Sequence, residues 1–424
     1  MSDGRLHAPR GTFDILPAQA AARETLEREA RRIFAAAGYG RIETPTFEPT
    51  ELFARGVGES SDVVRKEMYS FDDGGGRSMT LRPEGTAPVC RAYAEHGMHK
   101  LPQPVRLWYL SPFYRREAPQ AGRYRQFWQF GAEAIGSDDP AVDADTILLL
   151  AELLEAVGAR RLRLRLSSLG SPDVRAAYRS ELQAFLRSRE DSLSRDVRER
   201  IELNPLRAFD SDDPGTRSVM AEAPRLLDRL EGADFQHFAQ VRALLDGVGI
   251  AYEVDGTLVR GLDYYTRTVF EFESDALGAQ RGVGGGGRYD GLVAALGGPD
   301  APGCGWAAGV ERILLASDDA TGAAGGPPAP PAPVDLFVAY EDPGRRREAF
   351  AIVAEARRAG LGAQLELGGR SLKGQLKQAD RVAAGFVAIL RAQDTVLRDM
   401  DRGEQQEVAP DAVPAKVLRA RAGT

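Results

Sequence analysis

At 424 residues the chain is long enough for two or three domains of roughly 100–200 residues each. Its 43% hydrophobic and 28% charged composition is that of a globular protein able to bury cores, and no apolar run approaches the ~20 residues of a membrane span. A net charge of −7 excludes a globally basic nucleic-acid binder, so any RNA partner needs a local basic face. The N-terminal MSDGRLHAPRGTFDILP holds no apolar signal segment, and the expected location is the cytoplasm. The two cysteines, Cys90 and Cys304, match no zinc or redox spacing and read as buried small apolar residues. The four histidines, His7, His96, His99 and His237, form no HExxH and no visible base–nucleophile pair. Arginine far outnumbers lysine, but beside the abundant alanine and glycine this is compositional and argues nothing by itself.

In chain order, Ala18–Ala37 reads as an amphipathic helix with Leu26, Ala30, Ile33, Phe34 and Ala37 on one face and Gly38 as its stop. An extended stretch from Tyr39 follows, in which Pro45 confines a strand to an edge or an interface. Met68–Phe71 and Ser78–Arg82 predict a hairpin around Asp-Asp-Gly-Gly-Gly. Arg82-Pro-Glu-Gly-Thr then turns into a helix through Glu95, and Glu84 and Thr86 sit at its start, where a capping role is the plain alternative to a binding one. Tyr114–Glu133, YRREAPQAGRYRQFWQFGAE, is broken by a loop at Ala118–Gly122 between strands at Val105–Leu110 and Phe127–Ile135, and it carries four arginines, an aromatic cluster and two glutamates. Guanidiniums on adjacent strands beside an adenine-sized ring make a nucleotide-phosphate platform, because the planar fork of arginine meets phosphate oxygens bidentately. A solvated basic hairpin on a sheet edge is the competing reading.

An apolar helix, Asp143–Val157, and an alternating strand, Arg161–Leu166, come next. From about Pro172 to Pro224 the chain becomes charged and helical, an inserted subdomain. Strand patterning resumes at Ile250-Ala-Tyr-Glu-Val after one more helix. Leu258–Phe272, LVRGLDYYTRTVFEF, is a second chemical stretch. Gly282, Gly284 and Gly287 satisfy GxGxxG formally, but no parallel βαβ unit surrounds them, so the glycines mark close backbone approach to a ligand or a strand. Gly303–Gly309 reads as a small-residue strand entering the helix Val310–Ala316, with Arg312 in its first turn, where arginine opposes the helix dipole. A Gly/Ala/Pro linker spans 318–333. Beyond it, strands at Val334–Tyr340, Ala363–Leu367 and Phe386–Leu390 alternate with helices at Arg345–Ala359 and Ser371–Ala379, an α/β domain with a mostly parallel or mixed sheet.

Taken together, these stretches resemble bacterial histidyl-tRNA synthetase, a class II aminoacyl-tRNA synthetase, over essentially the whole chain. Pro45 lies in a segment similar to motif 1, which in the family builds the dimer interface. Tyr114–Glu133 looks like motif 2 and Gly309–Arg312 like motif 3. Arg260–Tyr265 and Gly286–Tyr289 resemble the two histidine-specific signatures. The resemblance implies an α+β fold: a class II catalytic core (1–317) on a six-stranded antiparallel sheet with a helical insertion (about 172–224), and a C-terminal α/β anticodon-binding domain (334–424). It implies that Arg115 holds the ATP α-phosphate, that Arg123 and Arg312 hold the outer phosphates, and that Phe127 and Glu117 take the adenine ring and its amine. It places Glu84, Thr86 and Gln129 at the ammonium and carboxylate ends of L-histidine, with Glu133 and Tyr265 reading the imidazole and Tyr264 and Tyr289 lining its pocket. Arg260 neutralises charge at the reacting phosphorus. ATP as substrate, Mg²⁺, tRNA(His) and a homodimer complete the expectation. Arg116 and Trp128 depart from residues often found in the family at those places, beside the site.

The implied chemistry needs no side-chain base, in keeping with the scarcity of histidine. Three other readings compete: the non-catalytic synthetase-like regulatory subunit of ATP phosphoribosyltransferase, a class II synthetase for another amino acid, and a nucleic-acid-binding module without catalysis. The intact tail and Arg260 signature weigh against the first, and Glu133 with Arg260–Tyr265 against the second. Net acidity and the full arginine set weigh against the third.

Overall fold

The computed structural model describes residues 6–58, 61, 63–258, 261–278, 281–317 and 334–422. The chain divides into two compact units, Met1–Ala329 and Pro330–Thr424. The expected linker at 318–333 lies outside the described residues.

Helix α1 (Pro17–Ala36) starts at a proline in its first turn, with the Gln19 side chain accepting from the Leu16 N–H at 3.0 Å, and it ends before Gly38 at φ +75°. Strands β1 (Gly40–Arg41) and β2 (Phe47–Pro49), helix α2 (Thr50–Val57), strands β3 (Tyr69–Asp72) and β4 (Ser78–Leu81) and helix α3 (Thr86–Glu95) follow. The long hairpin β5 (Val105–Tyr114) and β6 (Gln126–Ile135) is paired along its whole length, Val105 opposite Ile135 and Tyr114 opposite Gln126. Helix α4 (Pro140–Ala156) is capped by the Asp139 carboxylate, which accepts from Ala141 N at 2.8 Å. After β7 (Leu162–Ser168) come α5 (Pro172–Arg187), α6 (Arg195–Arg200), α7 (Pro214–Ala221) and α8 (Gly232–Gly247). Helices α5 to α7 lie within the stretch 172–224 read as an insertion, and α8 is the further helix before Ile250. The unit closes with β8 (Glu253–Val254), β9 (Thr266–Ser274), β10 (Gly282–Arg288), α9 (Leu292–Ala295), β11 (Gly303–Gly309) and α10 (Val310–Ala316).

The main sheet has eight strands in the order β1-β5-β6-β11-β10-β9-β7-β8, which corrects the expected six. The inner six are antiparallel, and β1 and β8 add two-residue parallel pairings at the edges. Two residues carry no periodicity, so neither edge strand is readable from sequence.

Alternation along the inner strands sorts the sheet into two faces. Trp108, Phe130, Ala132, Trp306 and Ala308 pack with Phe34 of α1, Leu150 of α4 and Val241 of α8 in the largest core. Tyr109 and Phe113, from the other face of β5, pack with α3 and with Tyr289 and Leu292. The second face is where the chemistry lies. A separate three-stranded sheet, β2-β4-β3, carries Phe47 and Phe71, which are 52% and 44% exposed with their rings 6.0 Å apart.

The second unit holds a mixed sheet, β13-β12-β14-β15-β16, built from β12 (Val334–Tyr340), β13 (Ala363–Leu365), β14 (Ala384–Leu390), β15 (Thr395–Asp399) and β16 (Gln405–Glu407). The first three strands are parallel and the last two pair antiparallel. Leu336 and Val338 face a core with α11 (Arg346–Arg358) and α13 (Val413–Ala422), and Phe337 and Ala339 face one with α12 (Leu372–Arg381). A strand covered on both sides explains its unbroken apolar run.

Candidate active site

Strand β6 arranges the site. Residues two apart share a face, so Phe127, Gln129, Gly131 and Glu133 line up on the side away from α1, a span of about 20 Å at ~3.3 Å per residue. An aromatic ring, an amide, a gap and a carboxylate thus stand in a row.

At one end, the Arg115 Nε–H donates to the Pro83 carbonyl at 2.9 Å, and its guanidinium carbon lies 5.4 Å from the Phe127 ring centroid. Glu117 sits between two guanidiniums, 3.3 Å from Arg123 and 3.9 Å from Arg115. A cavity of about 670 Å³ is lined by Arg115, Glu117, Arg123, Phe127, Gln129 and Arg312, with Gly282, Gly284 and Gly285 of β10 along its floor. Arg312 donates to the Gly282 carbonyl, and burial together with neighbouring Arg123 pushes its guanidinium down to about 10. A cationic group strained in this way is stabilised by any anion that enters. The side-chain oxygen of Gln129 is buried and has no partner among the described residues. Arg260 lies outside the described residues, while Gly261 and Leu262 line the same cavity.

At the other end, Glu133 is fully buried. The Tyr289 hydroxyl donates to its Oε2 at 2.7 Å, the Thr86 hydroxyl to its Oε1 at 2.8 Å, and the Tyr109 hydroxyl approaches Oε1 at 3.4 Å. Burial pushes the carboxyl up to about 8, against the pull of the Tyr289 and Thr86 hydrogen bonds, and nearby Glu84 adds to the rise. Glu84 is itself raised by burial, and its two oxygens accept from Thr86 N at 2.7 Å and Ala87 N at 3.0 Å. The capping role weighed for Glu84 is therefore real, and Thr86 turns its hydroxyl to Glu133. The Tyr264 ring lies 4.7 Å from Tyr265 and 6.0 Å from Tyr289, which gathers Glu84, Thr86, Glu133 and the three tyrosines at one place.

Tyr109 escaped the sequence reading. Its ring fills space that a Cβ on Gly85 or on Gly131, its cross-strand partner, would occupy. An aromatic opposite a glycine is the signal, but it appears only once the register is known. The glycines of β10 and β11 answer the same need: a Cβ on Gly284 would come within 2.5 Å of Ala308, and one on Gly305 would overlap the Glu133 carboxylate.

Other residues of the chemical stretches do structural work. Trp128, expected beside the site, points to the opposite face, under Arg23 at 5.3 Å, because it follows Phe127 by one residue. Arg116 is exposed and donates from Nε to the Lys66 carbonyl at 3.3 Å. Glu311 is buried, accepts from Arg23 at 2.7 Å and from Trp128 N at 3.1 Å, and so joins α10 to α1 and β6. Arg288 is buried against Asp143 of α4, with Nε 3.1 and 3.2 Å from the two carboxylate oxygens. Cys90 and Cys304 are fully buried, and burial raises both thiols well above their ordinary value, which leaves them poor nucleophiles. No group of three or more His, Cys, Asp or Glu side chains suited to a metal ion occurs among the described residues.

Residues 11–313 match the family profile described as histidyl-tRNA synthetase. The chain belongs to the histidyl-tRNA synthetase family. A histidine–tRNA ligase of Desulforamulus reducens is 46% identical over 95% of this chain and 96% of its own length. The apo histidyl-tRNA synthetase of S. aureus superposes with a TM-score of 0.79 at 34% identity, covering 97% of this chain and all of that one. A Bacillus halodurans protein described as an ATP phosphoribosyltransferase regulatory subunit/histidyl-tRNA synthetase shares the fold, with a TM-score of 0.65 over 91% of this chain and 98% of that one, at only 22% identity. Near-full-length identity to histidine–tRNA ligases disfavours the regulatory-subunit reading. Histidyl-tRNA synthetase membership also removes the class II synthetases for other amino acids. No described helix is long and apolar enough to cross a membrane.

Proposed function

We propose that this histidyl-tRNA synthetase family member activates L-histidine with ATP to histidyl-adenylate, releasing pyrophosphate, and then transfers the histidyl group to the 3′ end of tRNA(His). The observation that carries this reading is the single strand face on which Phe127 and Gln129 border an arginine-lined cavity while Glu133 forms a buried acidic terminus. A nucleotide at one end and an imidazole at the other bring the amino-acid carboxylate and the α-phosphorus together between them.

The carboxylate of histidine is already a nucleophile. It attacks the α-phosphorus in line, a new acyl–phosphate bond forms, and the bond to pyrophosphate breaks. Catalysis is then positioning and charge stabilisation. Arg115 takes the α-phosphate, Arg123 and Arg312 the outer phosphates, Phe127 stacks on adenine and Glu117 accepts from its amine. Arg260 completes the positive charge at the reacting centre. Glu84, Thr86 and Gln129 receive the ammonium and carboxylate ends. Glu133, Tyr264, Tyr265 and Tyr289 read the imidazole, a buried polar set that would reject a substrate lacking that group by ~10⁴. Mg²⁺ is the ion the family resemblance implies, and Asp210, Glu271 and Glu273 are the cavity carboxylates that would meet it, Asp210 being paired with Arg207 at 3.0 Å. When bound there it supplies charge neutralisation on the outer phosphates.

Val334–Thr424 serves anticodon recognition, and the exposed Phe47 and Phe71 near Pro45 form part of a homodimer interface. The cytoplasm is the expected compartment. The test is ATP–pyrophosphate exchange with each amino acid in turn. Exchange that requires histidine, and that falls by about 10²–10³ in Arg115→Ala and Arg260→Ala, supports the reading. Exchange with a different amino acid, or none with histidine, refutes it.

A further inference from the structure

The helical insertion sits between β7 and β8, far in sequence from the residues around Glu133, yet its first helix reaches them. Arg175, one turn into α5, donates from a single guanidinium nitrogen to the carbonyl of Asp263, at 3.2 Å, and to that of Tyr265. These carbonyls bracket Tyr264. The segment from Gly261 to Tyr265 is irregular backbone, whose polar groups need partners that no ladder provides. On its other side the Asp263 N–H donates to the Val57 carbonyl at 3.2 Å, and the Asp263 side chain packs against Gly58 so closely that a Cβ there would lie 2.6 Å from its oxygen. The segment is thus held between the end of α2 and the start of the insertion.

Arg175 is itself firmly based. Helix α5 begins with Ser171 N donating to Asp234 at 2.8 Å, and Asp234 also accepts from Arg267 of β9 at 3.1 Å. The Arg267 N–H donates to the Gly170 carbonyl at 2.8 Å. The insertion and β9, the strand that directly follows Tyr264 and Tyr265, are therefore one rigid joint.

The geometry points to Arg175 as a positioning residue for the amino-acid pocket, setting Tyr264 and Tyr265 beside Glu133 by gripping the backbone on either side of Tyr264. This rests on the proposed histidine activation and assigns the insertion a part in amino-acid binding. Arginine suits the task because one planar group reaches two carbonyls. Of the groups proposed for the nucleotide, Arg115, Arg123 and Arg312 come from other segments, while Arg260 directly precedes the gripped segment and is assigned to the reacting phosphorus, so that its displacement reads out in kcat and not in the KM for ATP. Loss of the grip should thus weaken histidine binding selectively.

Pyrophosphate exchange with Arg175→Met and Arg175→Lys tests this, with thermal unfolding as a check on folding. The expected result is a KM for histidine raised roughly tenfold or more in R175M and by less in R175K, with the KM for ATP within about twofold of wild type in both. If R175M does not fold, a raised histidine KM at unchanged ATP KM in R175K supports the assignment. Histidine and ATP KM rising together, R175K as impaired as R175M, or neither KM moving would each overturn it. Wild-type protein without histidine-dependent exchange would sink the activation reading itself, a result distinct from any of these.

Discussion

Replacing Glu133 by Gln should make the folded enzyme less sensitive to alkaline pH. Burial holds the Glu133 carboxyl at about 8, against 4.5 for an ordinary glutamate. Between those values the folded protein keeps a proton that the unfolded chain has released, so raising the pH through this window drains stability. Each unit of displacement corresponds to about 1.4 kcal/mol, and integrating from pH 6 to pH 9 gives a loss of about 2–3 kcal/mol assignable to this one group. Glutamine cannot ionise, and the hydroxyls of Thr86, Tyr289 and Tyr109 can rotate to accept from its amide. Denaturant unfolding of wild type and E133Q without substrates, at pH 6 and pH 9, isolates the term as a double difference. Wild type should fall relative to E133Q by the amount above. Parallel losses in the two proteins would show that Glu133 is already ionised at pH 6 and would refute the account of its burial.

The other predictions address separate parts of the molecule. Gly305→Ala forces a methyl group into the Glu133 carboxylate and should cost about 1–3 kcal/mol while raising the histidine KM, measured by unfolding and by pyrophosphate exchange. Asp143→Asn leaves the buried Arg288 with only Asp290, at 3.3 Å, as countercharge and should lower stability by up to about 3–5 kcal/mol, with the KM for both substrates in the surviving folded protein close to wild type. Deleting residues 334–424 should spare histidine-dependent exchange and cripple aminoacylation of tRNA(His). A parallel fall in both activities would contradict a modular tail.

The parts legible in the sequence were those carried by local pattern. The β5–β6 hairpin announces itself through alternation on both sides of an arginine-rich loop, and Gly303–Gly309 running into Val310–Ala316 matches β11 and α10. The first tail strand, Val334–Tyr340, is also readable from its apolar run. What required the third dimension was pairing. Tyr109 looks like any strand aromatic until Gly131 is seen opposite it, and Trp128 changes faces once the strand register is applied. Arg288 lies within a chemical signature, but its partner Asp143 is 145 residues away. The closing β15, β16 and α13 of the tail went unread because Thr395–Asp399 and Gln405–Glu407 are short and Val413–Ala422 is only weakly patterned.

The glycine floor of the cavity has a consequence for inhibitors. Of the glycines that line it, Gly284 abuts β11 so closely that any side chain added there would collide with Ala308, and a Cβ on Gly282 would meet the Glu271 carboxylate. A compound that takes its grip from this exposed main chain offers the enzyme no side chain to shorten. Lengthening one there disrupts the sheet itself. Escape mutations against such a compound fall instead on the side chains of the rim, Arg115, Arg123 and Arg312 among them, where on the proposed function a change also weakens the hold on ATP.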